Sequence, residues 1–399
     1  MVDTTPRAPA RAGLPLFGLL AFTLSGFLAI MTETMPAGLL PQISAGLGVS
    51  ESLAGQLLTL YAIGSVVAAV PVIAATRGWN RRPLLLMAIA ALLVFNAITA
   101  LSDDYVLSLV SRFVAGMAAG VVWGLLAGYA RRMVPARVQG RALAIVGVGQ
   151  PIALSLGVPL GAWLGSLADW RSVFWLMSAV ALVLALWIRV AVPDFPGQEA
   201  GRREPILKVF RTPGIRPILA VIFLWILAHN VLYTYIAPFV AKHGLGDQVP
   251  VMLLLFGVAA VVGIWVSGML VDARLRLVTL LSLGGFATAA VMLAAGTGVT
   301  ALIYAGVVMW GLTFGGAPTL LQTAIADAAG ESGDVAQSML VTVFNLAVAG
   351  GGVVGGVLLE QLGPDSFPWT QLVLAVAALA VVWSARSHGF RSGHRVTAD

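Results

Sequence analysis

Residues 105–132 read YVLSLVSRFVAGMAAGVVWGLLAGYARR, and this stretch decides the fold. Residues 105–129 are apolar apart from Arg112 and a few hydroxyl side chains. About twenty such residues are enough to cross the hydrocarbon core of a bilayer as a helix. The arginines that follow, Arg131 and Arg132, are typical of the cytoplasmic end of a span. The stretch therefore predicts a transmembrane helix that ends in the cytoplasm.

Eleven further stretches of the same kind occur in the chain, so the sequence predicts twelve transmembrane helices. The predicted spans are 14–40, 52–76, 83–101, 105–129, 141–165, 172–191, 214–240, 251–271, 277–296, 299–324, 336–359 and 369–386. Most of the turns between them are short, so consecutive helices should run antiparallel as neighbours. We predict an all-α membrane protein with six-helix bundles at 1–191 and 214–399. A polar segment rich in Pro and Gly, 192–213, reads as a cytoplasmic linker.

The basic residues give the orientation. When the spans are traced alternately up and down, 20 of the 23 Lys and Arg fall on one side. These are Arg7, Arg11, Arg77, Arg81, Arg82, Arg131, Arg132, Arg137, Arg141, Arg189, Arg202, Arg203, Lys208, Arg211, Arg216, Arg274, Arg276, Arg386, Arg391 and Arg395. Arg171 and Lys242 fall on the other side, and Arg112 lies within a span. Short loops rich in Lys and Arg stay in the cytoplasm, so both chain ends are predicted to be cytoplasmic.

The composition favours a membrane protein over a soluble one. The chain is 59% hydrophobic and 10% charged, whereas about a quarter of a soluble domain is charged. Its basic residues flank apolar spans, so they indicate contact with anionic lipid and not with nucleic acid. It has no Cys, four dispersed His and no Walker A motif. We therefore expect no metal site, no cofactor and no ATP hydrolysis; a membrane enzyme is a remote alternative.

The two halves resemble copies of each other. A shift of 195 residues superimposes Arg81 on Arg276, Gly116 on Gly311, Gly120 on Gly315, Gln150 on Asn345, Gly157 on Gly352 and Gly161 on Gly356. Several matches at one shift are hard to obtain by chance, even with 45 glycines in the chain. A duplicated bundle usually binds its substrate at the middle of the membrane, between the halves, and alternates its access by rocking.

Two fully ionised residues lie well inside the predicted spans, Glu33 and Arg112. At 1.5 Å of helix rise per residue, they lie about 9 Å and about 7.5 Å outward of the middle of their helices. The two can therefore reach the same depth. Glu33 is the partner that can lose and regain a proton, which makes it the candidate for proton coupling. A fixed ion pair that only holds the bundle together is the alternative. His229 is the next titratable candidate.

Polar and aromatic side chains within the spans are candidates for substrate binding. They are Tyr61, Trp123, Gln150, Asn230, Tyr233, Trp310, Phe314 and Asn345. A midplane amide is costly in lipid, so Gln150 and Asn345 should line a wet cavity or form a hydrogen bond to another helix. Each aromatic side chain taken alone is equally explained by packing or by anchoring at the membrane interface.

Several motifs resemble those of the major facilitator superfamily, over essentially the whole chain. Gly268-Met-Leu-Val-Asp272-Ala-Arg274-Leu-Arg276 looks like the cytoplasmic loop signature of the family, and Arg112 with Gly116 and Gly120 looks like its helix 4 signature. Gly157-Val-Pro159-Leu-Gly161 looks like the helix 5 signature of exporters. Leu39-Leu40-Pro41 and Asp169-Trp170-Arg171 add to the likeness. The first-half loop departs from the family pattern, with Arg77 where Asp is common.

The resemblance, which is to the twelve-helix bacterial drug:proton antiporters near the sugar-efflux group, implies a function. It implies export of a small neutral or amphiphilic molecule (a drug, sugar or nucleoside) in exchange for protons, by a monomer in the bacterial inner membrane. The proton gradient would be the energy source, and drug resistance a consequence. It implies conformational gating by Arg81, Arg82, Asp272, Arg276, Gly157, Pro159 and Gly161. A proton-coupled importer or uniporter is the alternative, and a non-transporting receptor or scaffold is a more distant one.

Overall fold

The structure, a computed structural model, describes residues 14–69, 71–76, 78–135, 138–197, 206–296 and 298–390. Arg77, part of the predicted linker and both chain ends lie outside these ranges. The helices of the first half are α1 (Leu16–Gly38), α2 (Leu40–Leu47), α3 (Glu51–Ala69), α4 (Pro71–Ala75), α5 (Arg81–Leu101), α6 (Tyr105–Arg132), α7 (Gln139–Gly147), α8 (Gly149–Ile152), α9 (Val158–Leu167) and α10 (Trp170–Ala191). One turn of π-helix, Ala153–Gly157, joins α8 to α9.

The second half is helical in the same manner. Its helices are α11 (Ile206–Phe210), α12 (Ile215–Thr234), α13 (Ile236–Lys242), α14 (Val249–Ala295), α15 (Thr300–Gly315), α16 (Ala317–Ala329), α17 (Gly333–Gln361) and α18 (Ser366–Ser384). No strand occurs in the described ranges. The prediction of an all-α membrane protein is confirmed.

Eleven helical segments among the described residues are long and apolar enough to cross a membrane. One of them contains α14, whose 47 residues extend over about 70 Å at the usual helix rise, more than twice the hydrocarbon thickness. Its backbone leaves the helical region at Arg274, with φ −146° and ψ 42°. The two arms contain the predicted spans 251–271 and 277–296. The count of twelve spans, like the domain boundaries and the position of the chain ends, stays a prediction.

The internal duplication has a physical basis in helix packing. A Cβ atom on Gly116 would collide with the backbone carbonyl of Tyr61, and one on Gly311 would collide with that of Phe256. The same contact therefore brings α6 against α3 and, 195 residues later, α15 against α14. The next turn repeats it, with Gly120 against Ser65 and Gly315 against Ala260. Small residues allow helix axes to approach this closely in lipid.

We call the membrane surface with most of the arginines the basic face and the opposite surface the far face. The first residues of the predicted linker pack on the basic face of the first bundle. Asp194 accepts hydrogen bonds from the Arg82 amide (3.1 Å) and the Asn80 side chain (2.9 Å). Tyr129 donates to the carbonyl of Pro193 over 2.6 Å. The linker therefore begins as an ordered part of this bundle.

Arg171 was an exception to the charge asymmetry, since it was predicted to lie on the far face. Its guanidinium lies 2.6 Å from Asp103 and 3.6 Å from Asp169, and it donates to the carbonyl of Ser102. Two carboxylates thus offset the charge of this arginine. The contact also fastens the loop after α5 to the start of α10.

The two bundles contact each other mainly in the half of the membrane next to the far face. There α3 packs along α17, and α9 with the π-helical turn packs along α14. The approach is close, since a Cβ on Gly257 would collide with the backbone of Ser155, and one on Gly352 with the hydroxyl of Thr59. These contacts close the space between the bundles from the far face.

Candidate functional site

Glu33 lies on α1, where its side chain is partly buried. It interacts electrostatically with Arg112 and Tyr61 of its own bundle, and with Tyr233 of the other bundle. No ion pair shorter than 4 Å joins Glu33 to Arg112, although both residues are described. The alternative, a fixed ion pair that only holds the bundle together, has no direct contact in this conformation, and the role of the two residues stays a prediction.

Arg112 is fully buried and is held by neutral groups. Its Nη2 donates to the backbone carbonyl of Thr32, and its guanidinium lies 4.8 Å from the ring centroid of Tyr61 and 5.6 Å from that of Phe174. Its Nε and Nη1 have no hydrogen-bond partner. Among the described residues, no anion is hydrogen-bonded to this buried guanidinium, so its positive charge is not neutralised locally. The charge therefore attracts the carboxylate of Glu33.

Tyr61, a predicted substrate-binding residue, supports this arginine in the present conformation. It is fully buried, and its hydroxyl donates to the carbonyl of Ala29 over 2.8 Å. Its ring provides the surface over which Arg112 lies. In this conformation the Tyr61 side chain joins α3 to α1, next to Arg112.

Sequence reasoning overlooked Asn96 and Thr32. Asn96 is fully buried on α5, and its amide donates to the Thr32 hydroxyl over 3.1 Å. Since Thr32 also accepts from Arg112 through its carbonyl, these residues form one polar group that connects α1, α5 and α6. An amide inside the predicted span 83–101 was the available signal.

The second bundle contains a dense aromatic cluster around His229. The imidazole stacks on Phe314 at 3.6 Å and 5°, and on Tyr233 at 5.0 Å and 29°. The indole N–H of Trp310 donates to His229 Nδ1 over 3.2 Å, and Phe256 lies 5.6 Å from the imidazole. Four of the predicted site residues, His229, Tyr233, Trp310 and Phe314, therefore lie together. The hydroxyl of Tyr233 is buried without a partner.

Glu33 and His229 occupy equivalent places in the two bundles. The helix that carries each residue is interrupted further along the chain. The break lies at Leu39 (φ −119°, ψ 14°) in the first bundle and at Tyr235 (φ −115°, ψ 31°) in the second. Glu33 and His229 each lie six residues before this break. The proton-coupling candidate of one half therefore corresponds to the imidazole of the other, at a shift one residue longer than the sequence comparison gave.

The side-chain amides of Asn230 and Asn345 do not form the hydrogen bonds between helices that a packing role would require. Asn230 donates to Ile226 and Asn345 donates to Val341, each over 2.9 Å and each to the preceding turn of its own helix. Neither forms a hydrogen bond to another helix, and their exposed fractions are 7% and 9%. Gln150, on α8, is partly buried. The interhelical bond that was the alternative for Asn345 is absent in this conformation, and the side-chain carbonyl oxygens of Asn230 and Asn345 have no partner among the described residues.

Trp123 belongs to the first bundle and lies apart from the aromatic cluster. Its ring lies 3.4 Å from the position of a Cβ on Gly26, so it packs across α1, and its side chain is partly buried.

The predicted gating residues on the basic face have different surroundings. Arg81 is buried, and its amide donates to the carbonyl of Phe195. Arg82 reaches the carbonyl of Val192 over 3.4 Å. Asp272 is exposed.

Arg276 holds the end of the last helix. Its guanidinium donates to the carbonyls of Val382 (2.6 Å), Trp383 (3.0 Å) and Phe390 (3.1 Å). It therefore occupies the place where a helix C-terminus leaves its carbonyls unpaired. All three bonds lie within the second bundle, so they show a structural role.

The helix 5 motif packs within the first bundle. A Cβ on Gly157 would meet Met31, and one on Gly161 would meet Met35, while Pro159 between them is buried. The two glycines thus bring α9 close to α1, which carries Glu33. Any gating by this motif would act through that contact.

On the far face, a hydrogen-bonded contact between the bundles was not predicted. The Tyr235 hydroxyl lies 2.8 Å from the carbonyl of Gly352 and 3.3 Å from that of Ser52. The amide of Gln56 donates to the same hydroxyl and to the Gly352 carbonyl. We call these four residues the far-face latch. It joins α3 of the first bundle to the second.

Among the described residues, no group of three or more His, Asp or Glu is placed to hold a metal ion.

Comparison with known proteins agrees with this geometry. A family model described as Major Facilitator Superfamily matches residues 22–339. A Pseudomonas aeruginosa protein named transcription regulatory protein OpdE is 30% identical over 400 residues, covering 97% of this chain and 98% of that protein. The purine ribonucleoside efflux pump NepI of Escherichia coli O157:H7 is 28% identical over 340 residues, covering 84% of this chain and 86% of the pump.

Solved structures show the same fold. The D-xylose-proton symporter superimposes with a TM-score of 0.77 at 16% identity, covering 94% of this chain and 98% of the symporter. A bacterial homologue of the human lysosomal transporter Spinster, in an inward-facing and unoccupied conformation, gives 0.70 at 13% identity, covering 97% and 100%. At these identities the likeness concerns the fold alone.

Proposed function

Since the chain belongs to the major facilitator superfamily, we propose that it exports a small neutral or amphiphilic molecule in exchange for protons. The observation that carries the proposal is the position of Glu33. This carboxylate interacts with Arg112 in one bundle and with Tyr233 in the other. A group that binds a proton where the bundles meet can link its charge to their relative movement.

The surroundings of the aromatic cluster favour a planar ligand. An aromatic surface suits a planar ring, and the free carbonyl oxygens of Asn230 and Asn345 suit the N–H or hydroxyl groups of such a ligand. One relative is named as a purine ribonucleoside efflux pump. We therefore propose a nucleoside-like substrate first, with sugars and hydrophobic drugs as the alternatives.

We infer the direction of access from where the bundles touch. Their contacts lie next to the far face and include the far-face latch. With the basic face in the cytoplasm, this arrangement corresponds to a state closed to the outside and open to the cytoplasm. Substrate would enter from the cytoplasm while Glu33 releases its proton there, and the reverse exchange would take place after the bundles rock.

The test uses purified protein in liposomes that contain a pH-sensitive dye. We expect inosine, a purine ribonucleoside, to drive proton movement in the opposite direction, and Glu33→Gln to abolish this exchange. A membrane potential of 100 mV supplies about 2.3 kcal/mol per charge, so a variant without the proton site should no longer accumulate substrate against a gradient. Glu360→Gln is the matched control, because Glu360 lies on the far face beside Ser50.

Undiminished exchange in Glu33→Gln would show that the proton binds elsewhere. Proton and inosine movement in the same direction would identify a symporter. A second candidate function, a receptor that does not transport, is favoured by the relative named a transcription regulatory protein. It predicts binding of a ligand without any flux in the same liposomes.

A further inference from the structure

The hydrogen bond between Trp310 and His229 determines the chemical form of the imidazole. An indole N–H is only a donor, so His229 Nδ1 must be the acceptor of the 3.2 Å bond and carry no proton. The neutral ring then has its proton on Nε2. A positively charged ring would turn Nδ1–H toward the indole N–H, so protonation would remove this bond.

We infer that Trp310 holds His229 in the neutral Nε2–H form, and that His229 donates a hydrogen bond to the substrate and does not carry the transported proton. The inference deepens the proposed function and depends on it for the substrate. It replaces the expectation that His229 takes part in proton coupling. Trp310 is the positioning residue.

The geometry leaves one edge of the imidazole for a ligand. Phe314 and Tyr233 stack on the ring, and Trp310 occupies Nδ1. No described residue forms a hydrogen bond with Nε2, and the side chain keeps an exposed fraction of 8%. The free polar atom is therefore a donor in an otherwise aromatic surface. It suits a neutral ligand that offers a ring nitrogen or carbonyl oxygen as acceptor.

The titratable groups around this ring are few. From α12 the neighbour is Tyr233, and Glu33 of α1 interacts with that tyrosine. The contacts from α14 and α15 come from Phe256, Trp310 and Phe314, which do not titrate. Burial among these rings therefore favours the neutral form of His229, and the bond to Trp310 selects its tautomer.

The chain has four His, so the tautomer can be observed directly by ¹⁵N NMR with labelled histidine. We expect the His229 signals of a proton-free Nδ1 and a protonated Nε2 from pH 6 to pH 8, and their loss in Trp310→Phe. Trp225→Phe is the matched control, because the Trp225 indole lies in the same aromatic group and its N–H has no partner. It should leave the His229 signals unchanged. A charged imidazole, or an Nδ1–H tautomer, in the wild type would overturn the inference even if no substrate were known.

Binding of inosine tests the second part of the inference. His229→Phe removes the donor and should weaken binding about three- to tenfold, the effect of one hydrogen bond, while His229→Gln restores an N–H in place of Nε2 and should recover most of the affinity. Trp310→Phe leaves Nδ1 without its donor, so the proton can move between the two ring nitrogens, and the affinity should fall part of the way toward that of His229→Phe. Equal affinity in His229→Phe and the wild type would refute recognition by His229.

The experiments distinguish failure of the proposed function from failure of the inference about His229. If inosine neither binds nor moves, the substrate proposal fails, and the NMR measurement still decides the form of His229. If inosine is exchanged for protons and His229→Phe abolishes proton movement while binding stays intact, His229 belongs to the proton pathway and the inference is wrong.

Discussion

Removal of the Arg276 side chain should loosen the last helix of the chain. This guanidinium forms three hydrogen bonds, of 2.6, 3.0 and 3.1 Å, to carbonyls at and beyond the end of α18. We expect Arg276→Ala to lower the free energy of unfolding, with α18 detaching first. Arg276→Lys should have an intermediate effect, because an ammonium group keeps the charge but cannot reach three carbonyls with a planar fork.

The expected loss in the free energy of unfolding can be worked out from the three hydrogen bonds of Arg276. A hydrogen bond to a charged group contributes about 1.5–3 kcal/mol when buried, and a cation at a helix C-terminus about 0.3–1 kcal/mol. Arg276 is only partly buried, and water can replace some of the lost bonds. We therefore expect a total loss of about 2–4 kcal/mol. At about 2–4 °C per kcal/mol, the melting temperature should fall by about 4–16 °C.

The measurement is thermal unfolding of purified protein in detergent, with Arg274→Ala as the matched control. Arg274 lies two residues away on the same basic segment and is exposed. The Arg274→Ala variant thus loses the same charge but keeps the three hydrogen bonds of Arg276. If Arg276→Ala melts at the same temperature as Arg274→Ala, the three bonds contribute nothing and the reasoning is refuted.

Three further predictions follow from the helix contacts and the proposed site. Gly116→Ala should destabilise the protein by about 1–3 kcal/mol, because its Cβ would strike a backbone carbonyl, whereas Gly128→Ala on the same helix meets open space and should be neutral or slightly stabilising. Equal melting temperatures would contradict this. Tyr235→Phe should favour opening at the far face by about 1–3 kcal/mol, the value of the one hydrogen bond that the hydroxyl donates and the one that it accepts. The chain has no Cys, so labelling of Thr59→Cys from outside would report it, and an unchanged labelling rate would exclude a role for the hydroxyl. Tyr233→Phe should allow proton entry without substrate, since it removes the phenol that interacts electrostatically with the proposed proton-binding carboxylate. A proton leak equal to that of the wild type in dye-loaded liposomes would count against this interaction.

The membrane spans could be predicted because lipid imposes length and apolar composition on each one. The observed α5, α6 and α10 begin and end within a few residues of the predicted 83–101, 105–129 and 172–191. Breaks within a span were not predictable in the same way. The interruptions at Leu39 and Tyr235 introduce no charged residue, so the average hydropathy of the span does not reveal them.

The candidate site was only partly accessible to sequence reasoning. Helix rise gives the depth of Glu33 and Arg112, but it does not give their angle about the helix axis, so the absence of a direct ion pair could not be foreseen. The bond between Trp310 and His229 joins residues 81 positions apart. Such a pairing depends on the packing of two helices, and no pattern along the chain encodes it.

The far-face latch consists of a phenol, an amide and backbone carbonyls, beside glycines that bring the helices together. Dissolved ions screen interactions between charges over about 8 Å at physiological ionic strength, but they have little effect on contacts between uncharged groups. The work of parting the two bundles on that side should therefore be nearly the same in dilute and in saline surroundings. The free-energy barrier to opening at the far face would therefore stay the same when the salinity of the surroundings changes.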